Sequence, residues 1–481
     1  MNRNKIDGRV KDSSLKKAKK ATKIKKYDFS YSTKDYKIKF DKGLSETVIK
    51  NISKIKKEPK WMLDFRLKAY KTFIKQKLPS WGIMPLEEID FKNITYFASV
   101  GDSEKTNWKD VPKDVKKTFD RIGVPKAERD FLAGVGAQYD SEVIYHKTKK
   151  EFEEKGVVFL SMDEGLKKYP ELVKKYFGSV IPIDDNKFSS LNSAVWSGGS
   201  FVYVPKGVKV DTPLQAYFRI NSSNMGQFER TLIIADEGSK IHYVEGCTAP
   251  RFSTQSLHAA VVEVIALEGA SIRYTTIQNW ANNIYNLVTK RAFAYKNASV
   301  EWVDGNLGSR LTMKYPAIYL KGDNSRGEVL SIAIASKNQK QDAGAKIVHQ
   351  ANNTTGTIVS KSISKDGGES AYRGLVRIDK GLKNVKSNVR CDAILIDSIS
   401  KTDTYPVIVV DEPTAEVSHE ATVGRIGEEQ LFYLMSRGID ESKAITLIIL
   451  GFISEFSKQI PLEYAVELNR LIEMEFENSV G

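Results

Sequence analysis

Two stretches, "EGSKIHYVEG" (237–246) and "EGASIRYTTIQNW" (268–280), share one shape: a small polar turn followed by a β-rich segment. "KNASVEWVDGN" from Lys296 and "NTTGTIVSKSI" from Asn353 repeat it. The starts lie roughly thirty residues apart, the range in which stacked solenoid and β-helix repeats occur. The repeat is loose and has no fixed consensus, so by itself it predicts an all-β core, either solenoid or sandwich. From about Ser190 to about Glu428 almost no helical pattern interrupts it.

Helical patterns flank this core. "LSETVIKNISKIK" (44–56) begins on Ser-Glu and carries an apolar stripe, and "WMLDFRLKAYKTFIKQ" (61–76) has helical spacing. "PKDVKKTFDRIG" (112–123) ends on Gly, as helices often do. "DEGLKKYPELVKKYFG" (163–178) reads as one further helix with a capping acid and a terminal Gly. After Glu428 the chain returns to amphipathic helix, with "RGID" (437–440) as a break. The expected organisation is a basic, disordered tail over 1–27, a helical or mixed region over 28–185, a β core over 186–426 and a C-terminal helical segment over 427–481.

Hydrophobic content of 41% with 28% charged residues describes an ordinary soluble protein. The longest apolar run near the C-terminus, "AITLIILGFI" (444–453), is half of what a bilayer span needs and predicts a buried helix. Of the net charge of +14, residues 1–26 contribute +9, leaving +5 for the rest. Such a tail can bind nucleic acid or an acidic surface, or simply be a Lys-rich extension. The body is not a nucleic-acid binder by charge. No apolar segment of a secretory signal is present near the start. Two cysteines 144 residues apart form no disulfide framework and point to a reducing compartment, the cytoplasm or an organelle stroma.

Those two cysteines focus the chemistry. Cys247 lies in "YVEGCTAP" (243–250), read as a strand entering a Pro-held turn and hence as an accessible thiol. Cys391 lies in "NVRCDAILID", and "AEVSHEATVGRI" carries Ser418, His419 and Glu420. Cys, His and Glu are all credible iron ligands, and each binds deprotonated. One thiolate among harder ligands suits a site that gives its metal away. Nucleotide-binding loops, zinc-type Cys/His clusters and serine-hydrolase elbows are absent. If "TTIQNW" is a strand, Thr276, Gln278 and Trp280 share one face, and "YFRIN" likewise pairs Arg219 with Asn221. That polar side either meets solvent or lines a hydrated interior passage, which His258 and Lys290 on neighbouring segments could join.

"FSSLNSAVWSGGSFVYVPKGVKVDTPLQAYFRIN", "GQFERTLIIADEGS", "YVEGCTAP", "LHAAVVEVIALEGA", "IQNW", "NLVTKR" and "HEATVGRIGEEQLFYLMSRGI" closely resemble the SufB family of iron–sulfur cluster assembly scaffolds. The resemblance runs from about Phe97 to the C-terminus. It implies a right-handed parallel β-helix core, flanked by an N-terminal helical region and a C-terminal helical segment. It also implies a scaffold subunit without its own ATPase site, paired with SufD and driven by the SufC ATPase docked on the C-terminal helices. A cysteine desulfurase and a sulfur carrier would supply the sulfur.

By the same resemblance Cys247 accepts sulfane sulfur. Arg219, Asn221, His258, Thr276, Gln278, Trp280 and Lys290 line its passage. Cys391, with His419 and Glu420, holds the transient iron–sulfur cluster; the family's first acidic position is Ser418 here. A reduced flavin is linked to the family's complexes, but no flavin motif is present, and ATP would act only through SufC. Two rival readings are a SufD-like structural paralogue and a β-helix polysaccharide-active enzyme. The paired cysteines argue against the first and the missing secretory signal against the second.

Overall fold

A computed structural model describes residues 36–99, 134–220, 224–249, 255–460 and 462–477. The tail over 1–27, the helix expected over 112–123 and Asn221 lie outside the described residues.

The turn before each repeat decides the backbone path. Gly238, Gly269, Asn297, Asn324, Asn353 and Asn384 all have positive φ, between 53° and 70°. Each stands two residues ahead of a strand: Lys240–Thr248, Ser271–Trp280, Ser299–Gly308, Arg326–Ala335, Thr355–Ser364 and Lys386–Leu395. Gly and Asn tolerate this left-handed conformation where other residues are strained, so the Gly or Asn at each turn answers a steric requirement. The asparagines also stack from coil to coil, Asn324 Nδ2 donating to Asn297 Oδ1 at 3.0 Å and Asn384 Nδ2 to Asn353 Oδ1 at 2.8 Å.

These strands, with Glu416–Arg425, pair parallel and in register, each first residue opposite the next one along the chain. Among the described residues they belong to a ten-stranded sheet, and the strands between them belong to a twelve-stranded one. Parallel pairing of successive coils resolves the open choice in favour of a β-solenoid, of about seven turns. Its inner face packs apolar side chains, among them Tyr243, Ile272, Tyr274, Ala292, Trp302, Val329, Ile347 and Ile358.

The N-terminal helices are Glu46–Lys56, capped by the Ser45 side chain accepting from Val48 N, and Lys60–Lys75. They pack with the helix Lys187–Val195. Buried Arg66 holds this unit, pairing with Glu58 and donating to the carbonyls of Ala194 and Trp196. Strands begin earlier than the sequence pattern suggests: Gly134–Tyr139 already pairs with Leu214–Arg219. The single helix expected over 163–178 is two, Met162–Lys168 and Pro170–Tyr176. Pro170 lacks the N–H that a continuing helix needs, and Ser161 supplies the cap in place of an acid.

At the other end, Asp440 caps the helix Glu441–Phe452 after the break at 437–440. Ile449, Ile453, Phe456, Leu468, Ile472 and Phe476 cover Val244, Ile277, Val303, Ile332 and Ile363 on the outer face of the ten-stranded sheet. The apolar run over 444–453 is therefore buried on one face only; Leu447 is exposed. Among the described residues no helix is long and apolar enough to cross a membrane.

Candidate functional site

Alternation along each strand sorts its side chains between two surroundings. Tyr243, Tyr274, Trp302, Val329, Ile358 and Val389 point into the solenoid core, while their neighbours Val244, Ile277, Val303, Ile332 and Ile363 meet the C-terminal helices. Two residues beyond each of the first six, still on the inner face, stand Glu245, Thr276, Asp304, Ser331, Ser360 and Cys391. The strand registers place these six directly opposite one another in sequence. They form one polar row across five strand steps, about 24 Å at the usual interstrand spacing. Glu245, Thr276, Asp304 and Ser331 are buried.

Cys247 heads the next inner-face row, opposite Gln278 and then Asn306. The accessible turn expected for this thiol is not what forms. Cys247 lies within the strand Lys240–Thr248, faces the interior and is fully buried. The strand continues past the glycine before it, and alternation then turns the thiol inward. Its Sγ donates to Glu245 Oε1 at 3.5 Å, and Gln278 Nε2 lies 4.0 Å from it. Burial pushes the thiol well above its ordinary pKa, Glu245 and Glu229 add to this, and Lys290 and Lys314 oppose it.

Around this thiol runs a continuous polar network. Glu245 accepts from Thr276 Oγ1 at 3.3 Å and from the Tyr274 hydroxyl. Gln278 Oε1 accepts from Asn286 Nδ2 at 2.7 Å and Lys314 Nζ at 3.5 Å. Asn286 Oδ1 meets His258 Nδ1 at 2.7 Å, and His258 Nε2 meets Glu229. Burial opposes a charge on His258, but the Glu229 carboxylate against it raises its pKa. Trp280 lies against the His258 ring, centroids 4.7 Å apart.

Two lysines cross from the opposite sheet. Lys290 Nζ is 3.6 Å from Asp304 and 4.0 Å from Glu245, over the Tyr274 ring; Lys314 Nζ is 3.3 Å from Asp304. Burial lowers Lys314 to about 8, with Asp304 pulling the other way.

Of the predicted passage residues, His258, Thr276, Gln278, Trp280 and Lys290 thus come together inside the solenoid. Arg219 is buried opposite Thr248 and donates to its Oγ1 at 3.3 Å, one residue past Cys247. Sequence reasoning missed Glu245, Asp304, Ser331, Ser360, Lys314 and Glu229. The first four have a signal, since row members recur every 27 to 31 residues, in step with the repeat.

Cys391 is nearly buried in the strand Lys386–Leu395, 3.9 Å from His419 Nε2 on the neighbouring strand. Burial pushes it up to about 12, which the Tyr372 hydroxyl beside it partly offsets. Its thiol must release a proton to bind metal, so metal occupancy would weaken with falling pH. Glu420 does not join this pair. It stands opposite Arg390, on the other face of its strand from His419, and is exposed. Adjacent strand residues point to opposite sides, which separates the expected ligand set. Ser418 Oγ accepts from Asn388 Nδ2 at 2.6 Å. Among the described residues no three His, Cys, Asp or Glu side chains are grouped to hold a metal ion.

Cys391 and His419 lie near the open end of the solenoid. The last strands there, Lys401–Val410 and Glu416–Arg425, are the edges of the two sheets. Tyr405, Val407, Ile408, Val409, Val410 and Val423 are exposed.

Two family models match the chain: the SufBD protein N-terminal region over residues 43–216, and the SufBD core domain of the SUF system for FeS cluster assembly over residues 218–452. An iron-sulfur cluster assembly SufBD family protein of Staphylococcus aureus (strain USA300) is 56% identical over 465 residues, covering 96% of this chain and all of that protein. The corresponding Staphylococcus epidermidis protein (strain ATCC 12228 / FDA PCI 1200) is 57% identical with the same coverage. Matched along nearly its whole length, the chain belongs to the SufBD family of iron–sulfur cluster assembly proteins.

Proposed function

We propose that this chain is the SufB-type scaffold subunit, a sulfur acceptor and cluster builder with no ATPase site of its own. Cys247 takes sulfane sulfur from a desulfurase-fed carrier. The sulfur travels through the solenoid interior to Cys391, where iron is collected with the help of His419. The observation that carries the reading is the polar row from Glu245, beside Cys247, to Cys391 itself. The iron and sulfide of the cluster are cargo, completed at Cys391 by ligands from a partner. The exposed edge strands supply the surface for a SufD-type paralogue, since unpaired edges with apolar side chains template further strand pairing.

A SufC-type ATPase would dock on the helix Glu428–Ser436, which buries none of its residues and leaves Phe432 74% exposed beside Tyr433 and Met435. Replacing Phe432 and Tyr433 together with alanine is expected to weaken ATPase binding at least about tenfold, a typical loss for exposed aromatic anchors. The chain's melting temperature should stay unchanged, because neither ring packs on the core. Unaltered binding in calorimetric titration would remove the helix as the dock.

The scaffold reading is tested by anaerobic reconstitution of the chain with its SufC- and SufD-type partners, iron and a desulfurase-generated sulfur source. Wild type should develop sulfide-to-iron absorbance bands, while Cys247→Ala and Cys391→Ala should not. Equal absorbance from all three proteins would return the chain to a structural role.

A further inference from the structure

Resting on the sulfur-acceptor reading of Cys247, we infer that Glu245 is the proton acceptor that converts this buried thiol into the attacking thiolate. Three observations on the geometry lead there. The thiol aims its hydrogen at Glu245 Oε1 at 3.5 Å. The other groups around the carboxylate are also donors: the Tyr274 hydroxyl, the Thr276 hydroxyl at 3.3 Å and the Lys290 ammonium at 4.0 Å. A carboxyl group ringed by donors presents its oxygens as acceptors. Finally, Cys247 and Glu245 are both buried, so bulk water is not at hand to take the proton.

The surrounding charges allow the transfer. Lys290 and Lys314 face the pair from the opposite sheet, with Asp304 between them, and Glu229 with His258 lies beyond Gln278 and Asn286. Moving one proton from Sγ to Oε1 leaves the net charge of the chamber unchanged, and both lysines favour the thiolate that results. The thiolate then attacks the terminal sulfur of a donor persulfide. A sulfur–sulfur bond forms at Cys247, the donor's sulfur–sulfur bond breaks, and the donor departs as a thiolate. The proton on Glu245 goes to that leaving thiolate, which regenerates the carboxylate. One sulfur–sulfur bond replaces another, so no external oxidant or reductant is needed.

A merely electrostatic neighbour makes the opposite prediction. Glu245 as a negative charge disfavours the thiolate, so removing it would speed ionisation. The test is the rate at which the full chain gains sulfur on Cys247 from glutathione persulfide, followed by peptide mass spectrometry after alkylation. Glu245→Gln, close to isosteric, should slow loading about a hundredfold, the usual worth of a positioned base. Glu245→Asp, which perturbs packing more but keeps the carboxylate, should load faster than the Gln variant. Loading by Glu245→Gln at or above the wild-type rate overturns the assignment.

A measurement without any change at Glu245 guards against a variant that does not fold. In the Cys391→Ala chain Cys247 is the only thiol, and its infrared S–H stretch should be displaced to low frequency by the carboxylate. A band at the free-thiol position overturns the pairing. A displaced band in a wild-type chain that gains no sulfur at Cys247 would instead sink the sulfur-acceptor reading while leaving the Glu245–Cys247 pair in place.

Discussion

Glu263→Ala is expected to destabilise the chain by about 3–5 kcal/mol, the usual consequence of breaking a fully buried ion pair from one side. The Glu263 carboxylate and the Arg230 guanidinium are both buried, with Nη2 at 2.5 Å and Nε at 3.1 Å from Oε2. The same carboxylate accepts from the backbone N–H groups of Gly178, Val180 and Ile181 at 2.9 to 3.0 Å. It therefore ties the segment leaving the short helices to the second coil sheet. Alanine would leave a buried guanidinium without its counter-charge and three amides without an acceptor. Urea denaturation compares the variant with wild type, and hydrogen exchange should show early opening at 178–181. A loss below about 1 kcal/mol would place the pair among weakly coupled ones.

The second large effect is expected at a turn. Gly308 has φ of +75°, and a Cβ there would lie 1.7 Å from the Trp280 carbonyl oxygen on the preceding coil. Neither the left-handed backbone nor the stacking distance leaves room for alanine, and the atom it meets is backbone. Gly308→Ala should cost about 4 kcal/mol or more, in the range reserved for named structural failures. It should also disturb the Trp280 ring that lies on His258. Gly238→Ala is the control: its φ is +66° with nothing within 4 Å, so only the conformational cost of about 1–2 kcal/mol applies. Similar melting temperatures for the two variants would show that coil spacing relaxes to admit the methyl group.

Much of this architecture is written in local pattern. The β-rich segments led by Gly or Asn announce a coil, because a left-handed turn residue recurs ahead of successive strands at 238, 269, 297, 324, 353 and 384. The two cysteines, with Thr276, Gln278 and Trp280 on one strand face, were legible in the same way, through the two-residue alternation of a strand. That alternation also separates His419 from Glu420, which ligand chemistry and the resemblance both group.

What local pattern leaves open is which side of a strand is inside, and who faces whom across the coil. Whether the polar face met water or an interior depended on the C-terminal helices covering the opposite face, with Phe456 and Ile453 against Ile277 and Val303. Cys247, on the inner face, is buried instead by the opposite sheet of the coil closing over it. The meeting of Lys290 and Lys314 with Asp304 is set by the width of the coil and the register between two sheets, which no single strand encodes. The sequence by itself determined the strand-and-turn grammar and the two thiols, because backbone sterics act over a few residues. The tertiary structure decided the chamber, because burial and charge pairing are settled only when distant strands stack.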